Sequence, residues 1–312
     1  MKLSDETIKK IEELLTEGLS SRQIAAAVGC GKTVVNDYRK TLSIPLPENT
    51  QLSVGAKIAV LDLETAAEIA LTFSRFNVNL SQNNIIKGGH YILCASWRWI
   101  GEDKVNSVSL TPEEIEAGDD SRIVATLFDV YENADAIVAH NGQKFDDKII
   151  KARALVGGFP PFPKVKVLDT LKLAKKHMRL PSNRLDSIGE ILGLGRKIDT
   201  GGISLWAKVQ AGDVGAMKDM VTYCEQDVNL LYEVYLKLRA FGDAGSDFNA
   251  ALYHEDDKLR CRTCGETDVA PTGRTIKTGV SSFAEYRCGH CGAVHRSRVN
   301  ETTKEKRAGL LT

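Results

Sequence analysis

At 312 residues and 34.1 kDa the chain is about twice the size of a typical single domain, which leaves room for one sizeable core and small accessory modules. Lys+Arg (41) equal Asp+Glu (41), so a uniformly basic coat is excluded, and a composition that is 43% hydrophobic and 26% charged excludes disorder. No run approaches the roughly 18 apolar residues of a membrane span, and the amphipathic start MKLSDETIKKIEELL lacks an apolar signal core, so a cytoplasmic protein with no membrane partner is expected.

Charge is uneven along the chain. Residues 1–55 carry 7 basic and 7 acidic groups, residues 56–258 carry 24 and 29, and residues 259–312 carry 10 and 5. An acidic centre suits a cation site, and a basic C-terminal part suits a phosphate backbone.

In the first segment, Ser4 caps an expected helix whose apolar positions Ile8, Ile11, Leu14 and Leu15 recur at helical spacing until Gly18. A second helix begins at Ser20 or Ser21 and contains Ile24 and Val28. After the break at Gly29–Gly31, a third is expected over Lys32–Thr41. The stretch LSSRQIAAAVGCGKTVVNDYRKT resembles the helix-turn-helix of resolvases, transposases and many regulators, which implies a nucleic-acid-binding domain over residues 1–42. In that resemblance Lys32, Thr33, Asn36, Arg39 and Lys40 of the recognition helix face bases or phosphates. Docking to a partner is the competing use of such a bundle. Residues 43–55, with two prolines, read as a linker.

The run KIAVLDL (57–63) reads as a strand ending in Asp62-Leu63-Glu64. Strand residues two apart share a face, so Asp62 and Glu64 present neighbouring carboxylates, which repel unless a cation lies between them. A second strand, DAIVAH (135–140), leads through Asn141-Gly142-Gln143-Lys144-Phe145 to Asp146 at the start of a helix. A long helix from about Met217 to Arg239 carries Tyr223 and Asp227 four apart, on one face.

The ordered set D-x-E, N-G-x-x-F-D and Y-x-x-x-D resembles the DEDD, or DnaQ-like, superfamily of 3′-to-5′ exonucleases, and specifically its DEDDy branch; the histidine branch would have His where Thr222 stands. The likeness extends over residues 56–241 and is similar to stand-alone exonuclease-like proteins of tailed phages and some bacteria. It implies an α/β ribonuclease H-like mixed sheet flanked by helices. It also implies two Mg²⁺ or Mn²⁺ ions held by Asp62, Glu64, Asp146 and Asp227, with Asp62 bridging and Tyr223 orienting the attacking water. A tyrosine with an ordinary pKa near 10 is a poor base, so positioning suits it better than proton transfer.

Asp147 is expected to point away into solvent. Asp169 and Asp186 are expected to cap or anchor loops, and Cys224 to be a packed thiol with no cysteine or histidine partner. Between Lys164 and Arg184, seven basic residues stand against Asp169 alone. Lys172, Lys175, Lys176 and Arg179 among them, with Asn141, are candidates to guide a nucleic-acid strand. Trp97, Trp99 and Trp206 are expected in the core.

Cys261, Cys264, Cys288 and Cys291 form two C-x-x-C pairs separated by 23 residues, close to a four-cysteine zinc spacing. Each pair is followed by glycine, and the alternating segment between them reads as a hairpin. This resembles a zinc ribbon over residues 259–298, with one structural Zn²⁺ and with His290 and His295 as substitute ligands. Its Arg260, Arg262, Arg274, Lys277, Arg287, Arg296 and Arg298 suit a phosphate backbone, and protein docking is the alternative. Residues 242–258 read as a linker and 299–312 as a flexible tail.

The expected function is metal-dependent 3′-to-5′ exonuclease action on single-stranded DNA. RNA is the alternative substrate, and a non-catalytic nucleic-acid-binding or replication-scaffold protein is an alternative from another class. With no polymerase segment in the sequence, proofreading would need a polymerase or replication protein in trans.

Overall fold

The computed structural model describes residues 5–16, 21–31, 34–35, 55–73, 76–195, 201–242 and 247–311. The chain divides into two compact units, Met1–Val54 and Gly55–Thr312.

In the first unit α1 (Asp5–Thr16) and α2 (Ser21–Val28) pack through Ile11 and Ile24, both fully buried, with Ala25 and Val35. The apolar spacing on both helices produces this seam. Gly29 adopts φ +66, and the Cys30 N–H closes the end of α2 on the Ala25 carbonyl at 3.0 Å. Of the expected third helix only Val34 and Val35 are described; Lys32, Thr33, Asn36, Arg39 and Lys40 lie outside the described residues, as does the 43–55 segment apart from Gly55.

The second unit is built on a five-stranded mixed sheet. Its strands are β1 (Ile58–Thr65), β4 (Ile92–Trp99), β5 (Val105–Ser109), β6 (Ala136–Ala139) and β7 (Lys166–Asp169), in the order β5-β4-β1-β6-β7. β4 runs antiparallel to β1 and β5, whereas β6 runs parallel to β1 and β7. A small two-stranded arm, β2 (Ile69–Ala70) and β3 (Ile85–Lys87), follows β1. Helices α3 (Pro112–Ala117), α4 (Ser121–Asn133), α5 (Asp146–Val156), α6 (Thr170–His177), α7 (Leu185–Ile191), α8 (Ile203–Gln210) and α9 (Val214–Leu238) flank the sheet.

The two-residue period of β1 sorts its side chains between two cores. Ala59, Leu61 and Leu63 join Ile123, Leu127 and Ile150 of α4 and α5. Ile58 and Val60 join Val228, Leu231 and Tyr235 of α9. Asp62 and Glu64 continue the second set, so strand alternation alone sends them toward α9. That helix starts at Asp213, whose side chain accepts from the Ala216 N–H at 3.0 Å, and its 25 residues carry an apolar stripe across the sheet.

A second sheet, β8 (Val269–Lys277), β9 (Ser282–Cys288) and β10 (Val294–Arg296), has the order β10-β9-β8 and is antiparallel throughout. It contains the expected hairpin.

Two boundaries need correction. Phe248 and Ala250 are buried in the same core as Val60 and Leu231, and the Ala250 N–H donates to the Arg262 carbonyl at 2.8 Å. Residues 247–254 are therefore part of the packed unit and not a linker, because they bury apolar side chains in its core. Residues 299–312 include α10 (Lys304–Ala308), capped by Thr303. Just before α10, Glu301 N–H donates to Ser282 O at 2.8 Å and the Asn300 carboxamide accepts from Ser282 N–H at 3.3 Å. These bonds fasten the expected tail to β9.

Candidate active site and metal centre

β1 and α9 bring Asp62, Glu64 and Asp227 together, with one carboxylate oxygen of each within 4.8 Å of the others. Asp62 pairs with Ser96 and Glu64 with Cys94 on β4, which fixes the register of both acids. Asp227 is 2% exposed. Three carboxylates so close, one of them buried and two half-buried, repel strongly, and a divalent cation is the partner whose charge and oxygen preference fit them. On α9, Tyr223 lies one turn before Asp227, and its ring packs edge-on against Trp206 with centroids 6.4 Å apart.

Asp146 is placed separately from this trio, at the first position of α5, where it is 4% exposed. Burial, followed by the nearby charges of Asp169 and Asp147, pushes its pKa up to about 7. The loop before it is tight. Asn141 adopts φ 69, and a side chain at Gly142 would collide with Ala139 Cβ, so only glycine lets the loop turn this closely over β6.

Asp169, fully buried, clamps that loop. Its carboxylate accepts from the backbone N–H groups of Asn141 (3.1 Å) and Gln143 (3.4 Å) and also caps α6 through Leu171 (3.0 Å) and Lys172 (3.2 Å). The sequence pointed to the cap; the reach to the Asn141 loop depends on β6 and β7 being neighbours. Asp147 is not solvated as expected: it pairs with Lys151 at 2.6 Å and accepts from the Tyr131 hydroxyl at 3.5 Å.

Cys224 has a partner that its local sequence hides. The hydrogen bond with Cys94, followed by burial, pushes its pKa well above the usual range, and its Sγ lies 3.5 Å from the Asp62 carbonyl oxygen. A thiol held protonated in this way packs beneath the site and is no nucleophile.

Beside the trio opens a pocket of about 560 Å³ lined by Thr65, Glu68, His90, Phe145, Ile203 and Trp206. Trp206 thus borders a cavity while also packing on the core, as Trp97 and Trp99 do. Lys164, Lys166, Lys172, Lys175, Lys176, Arg179 and Arg184 are all exposed. Lys172 Nζ donates to Gln143 Oε1, so one end of this basic surface reaches the Asn141 loop.

The four cysteines of the C-terminal part converge, with all Sγ atoms within 4.8 Å. Cys261 and Cys291 are 3.6 Å apart and Cys264 and Cys288 3.7 Å. Gly265 and Gly292 adopt φ +81 and +79, the left-handed turn needed after each C-x-x-C. Their N–H groups return to Cys261 O and Cys288 O at 2.8 and 3.0 Å. Hydrogen bonds from Cys264 and Cys291 pull Cys261 down into the thiolate range. Four converging sulfurs with one thiolate already favoured fit a tetrahedral Zn²⁺. His295 Nε2 stands 3.3 Å from Cys261 Sγ, outside the four-sulfur group. His290 is exposed.

Residues 86–239 match RNase_H_2, a family of the RNase_H superfamily. The match spans Asp146, Tyr223 and Asp227 and begins beyond Asp62 and Glu64. A 39-residue stretch is 54% identical to "Uncharacterized protein MJ0769" of Methanocaldococcus jannaschii, covering 12% of this chain and 23% of that protein. The chain thus spans about a quarter of the length of this curated relative. Among solved structures, the family B DNA polymerase from the hyperthermophilic archaeon Pyrobaculum calidifontis is similar at 14% identity and a TM-score of 0.42, over 64% of this chain and 28% of the polymerase. Residues 86–239 are thus similar to the RNase_H superfamily, and the mixed sheet flanked by helices is consistent with that fold.

Proposed function

We propose that the protein is a metal-dependent 3′-to-5′ exonuclease of DEDDy type that hydrolyses phosphodiester bonds of single-stranded DNA. The observation that carries this reading is the convergence of Asp62, Glu64 and Asp227 within 4.8 Å, with Tyr223 one helical turn from Asp227.

Asp62, Glu64 and Asp227, with Asp146 supplied from the start of α5, would hold two Mg²⁺ or Mn²⁺ ions. Bound there, the ions would supply a hydroxide nucleophile and neutralise charge on the leaving oxygen. The protein's own residues do the positioning. The Tyr223 hydroxyl holds the attacking water, and the edge-on Trp206 ring fixes the Tyr223 rotamer. The Asp169 clamp holds the Asn141 loop, and with it the start of α5, against β7. The pocket bounded by Phe145, Ile203 and Trp206 takes the terminal base by stacking, and the exposed lysines leading from Lys172 guide the strand. The four cysteines hold one structural Zn²⁺, which a closed thiolate shell leaves without an open catalytic position.

The test is digestion of 3′-labelled and 5′-labelled single-stranded DNA, matched RNA and duplex, with and without Mg²⁺ or Mn²⁺. Mononucleotides should leave the 3′ end, in metal only and fastest from single-stranded DNA. Metal-independent cleavage, or release from the 5′ end, would overturn the proposal.

A further inference from the structure

The structure occupies several of the ribbon cations that the sequence offers to a phosphate backbone. Arg260 forks onto Asp256 at 2.8 and 2.7 Å and also donates to the Gly265 carbonyl at 2.8 Å. Arg262 donates to the Phe248 carbonyl at 3.4 Å, and the Arg296 guanidinium lies 4.1 Å over the Phe283 ring. Arg287 is different: it spends one nitrogen on the Gly292 carbonyl at 3.1 Å and is otherwise exposed.

Arg287 lines a cleft of about 630 Å³ between the ribbon and the C-terminal end of α9. The ribbon seats there through Ala240, which packs against the buried Cys261, Cys288 and Ala293. Lys237 and Arg239 line the opposite wall, His290 joins from the ribbon, and Glu233 is the one acid among the described lining residues. Arg239 Nε is buried without a hydrogen-bond partner, a state native structures rarely tolerate. Arg239 lines the cleft, and a guanidinium is a charge-assisted donor to phosphate oxygens. Phe241, also on the wall, is 65% exposed. Cations that can meet successive phosphates, beside an exposed aromatic ring, are the combination that binds single strands without reading sequence.

We propose that this cleft is a second nucleic-acid contact, which holds the phosphodiester backbone of a single strand away from the trio of acids; the proposal rests on the nuclease reading above. Lys237, Arg239 and Arg287 bind phosphates and Phe241 stacks on a base.

The experiment measures binding of a labelled single-stranded oligodeoxynucleotide to the full-length protein in magnesium-free buffer at several salt concentrations. Lys237→Gln/Arg287→Gln changes two exposed side chains, and zinc content and melting temperature report whether it folds. It should weaken binding about tenfold near physiological salt and lower the salt slope by roughly 1.4, at ~0.7 per lost phosphate contact. Phe241→Ala should weaken binding with the slope unchanged. A folded double variant with wild-type affinity and slope would overturn the proposal. So would a double variant that loses affinity for a 5′-nucleoside monophosphate and keeps it for the oligonucleotide, which would make the cleft a mononucleotide site. Wild-type protein that binds the oligonucleotide with a slope that the double variant lowers, but never hydrolyses DNA, would overturn the exonuclease reading and support the cleft.

Discussion

Asp146→Asn should stabilise the protein when magnesium and manganese are absent, and the gain should grow with pH. The carboxyl is 4% exposed, and its folded pKa stands at about 7 against an ordinary value of 3.8. Between those values the unfolded chain releases the proton and the folded chain keeps it, so folding loses ground as pH rises and the loss levels off above about 7. A gap of about three pH units at 1.36 kcal/mol each amounts to ~4 kcal/mol at pH 8. Asparagine has nearly the same shape and never ionises, so the variant escapes this loss. For a unit of this size ~4 kcal/mol corresponds to a melting temperature higher by roughly 8–16 °C. At pH 5 the gain should shrink to about a third of that. Thermal melts of both proteins at pH 5 and 8, dialysed free of magnesium with zinc retained, read this directly. Equal melting temperatures at pH 8, or a gain of the same size at both pH values, would refute the argument. The same variant should lose hydrolysis, so stability and activity should move in opposite directions.

Asp62→Ala and Asp227→Ala should each abolish turnover in Mg²⁺ with the fold preserved, whereas Tyr223→Phe should lose less, because the ring stays on Trp206 and only the hydroxyl goes; kcat for the three variants checks the order. Elemental analysis after dialysis should find one zinc per chain, and Cys264→Ser should lose it and disorder the ribbon, visible as new proteolytic sites after residue 259, since a segment of some forty residues has too small a core without its metal. Gly142→Ala should cost about 1–3 kcal/mol by forcing the loop off Ala139, and activity should fall with it; calorimetry alongside kcat tests both.

What could be read from the sequence was what local spacing encodes. An apolar run ending in D-x-E marks β1, tyrosine and aspartate four apart mark one face of α9, and the paired C-x-x-C marks the four-cysteine cluster. What could not be read depends on which elements become neighbours. Cys94 meets Cys224 only because β4 lies under α9. Asp169 reaches the Asn141 loop only because β7 lies beside β6, and Asp147 meets Tyr131 because α4 packs against α5. Residues 247–254 show no periodicity long enough to mark them, yet Phe248 and Ala250 close the core. The third helix of the first unit lies outside the described residues, so the structure adds little to that reading.

α9 carries Tyr223 and Asp227 in its middle and hands the chain to Arg239 at its end. Twelve residues of helix rise ~18 Å, and a helix packed along one face does not stretch. Given the two proposed contacts, it would work as a measuring rod: a strand must be long enough to cover that distance before it can touch both places at once. Digestion should accordingly slow as the remaining strand becomes shorter than the rod, leaving a short oligonucleotide remnant whose length the helix sets.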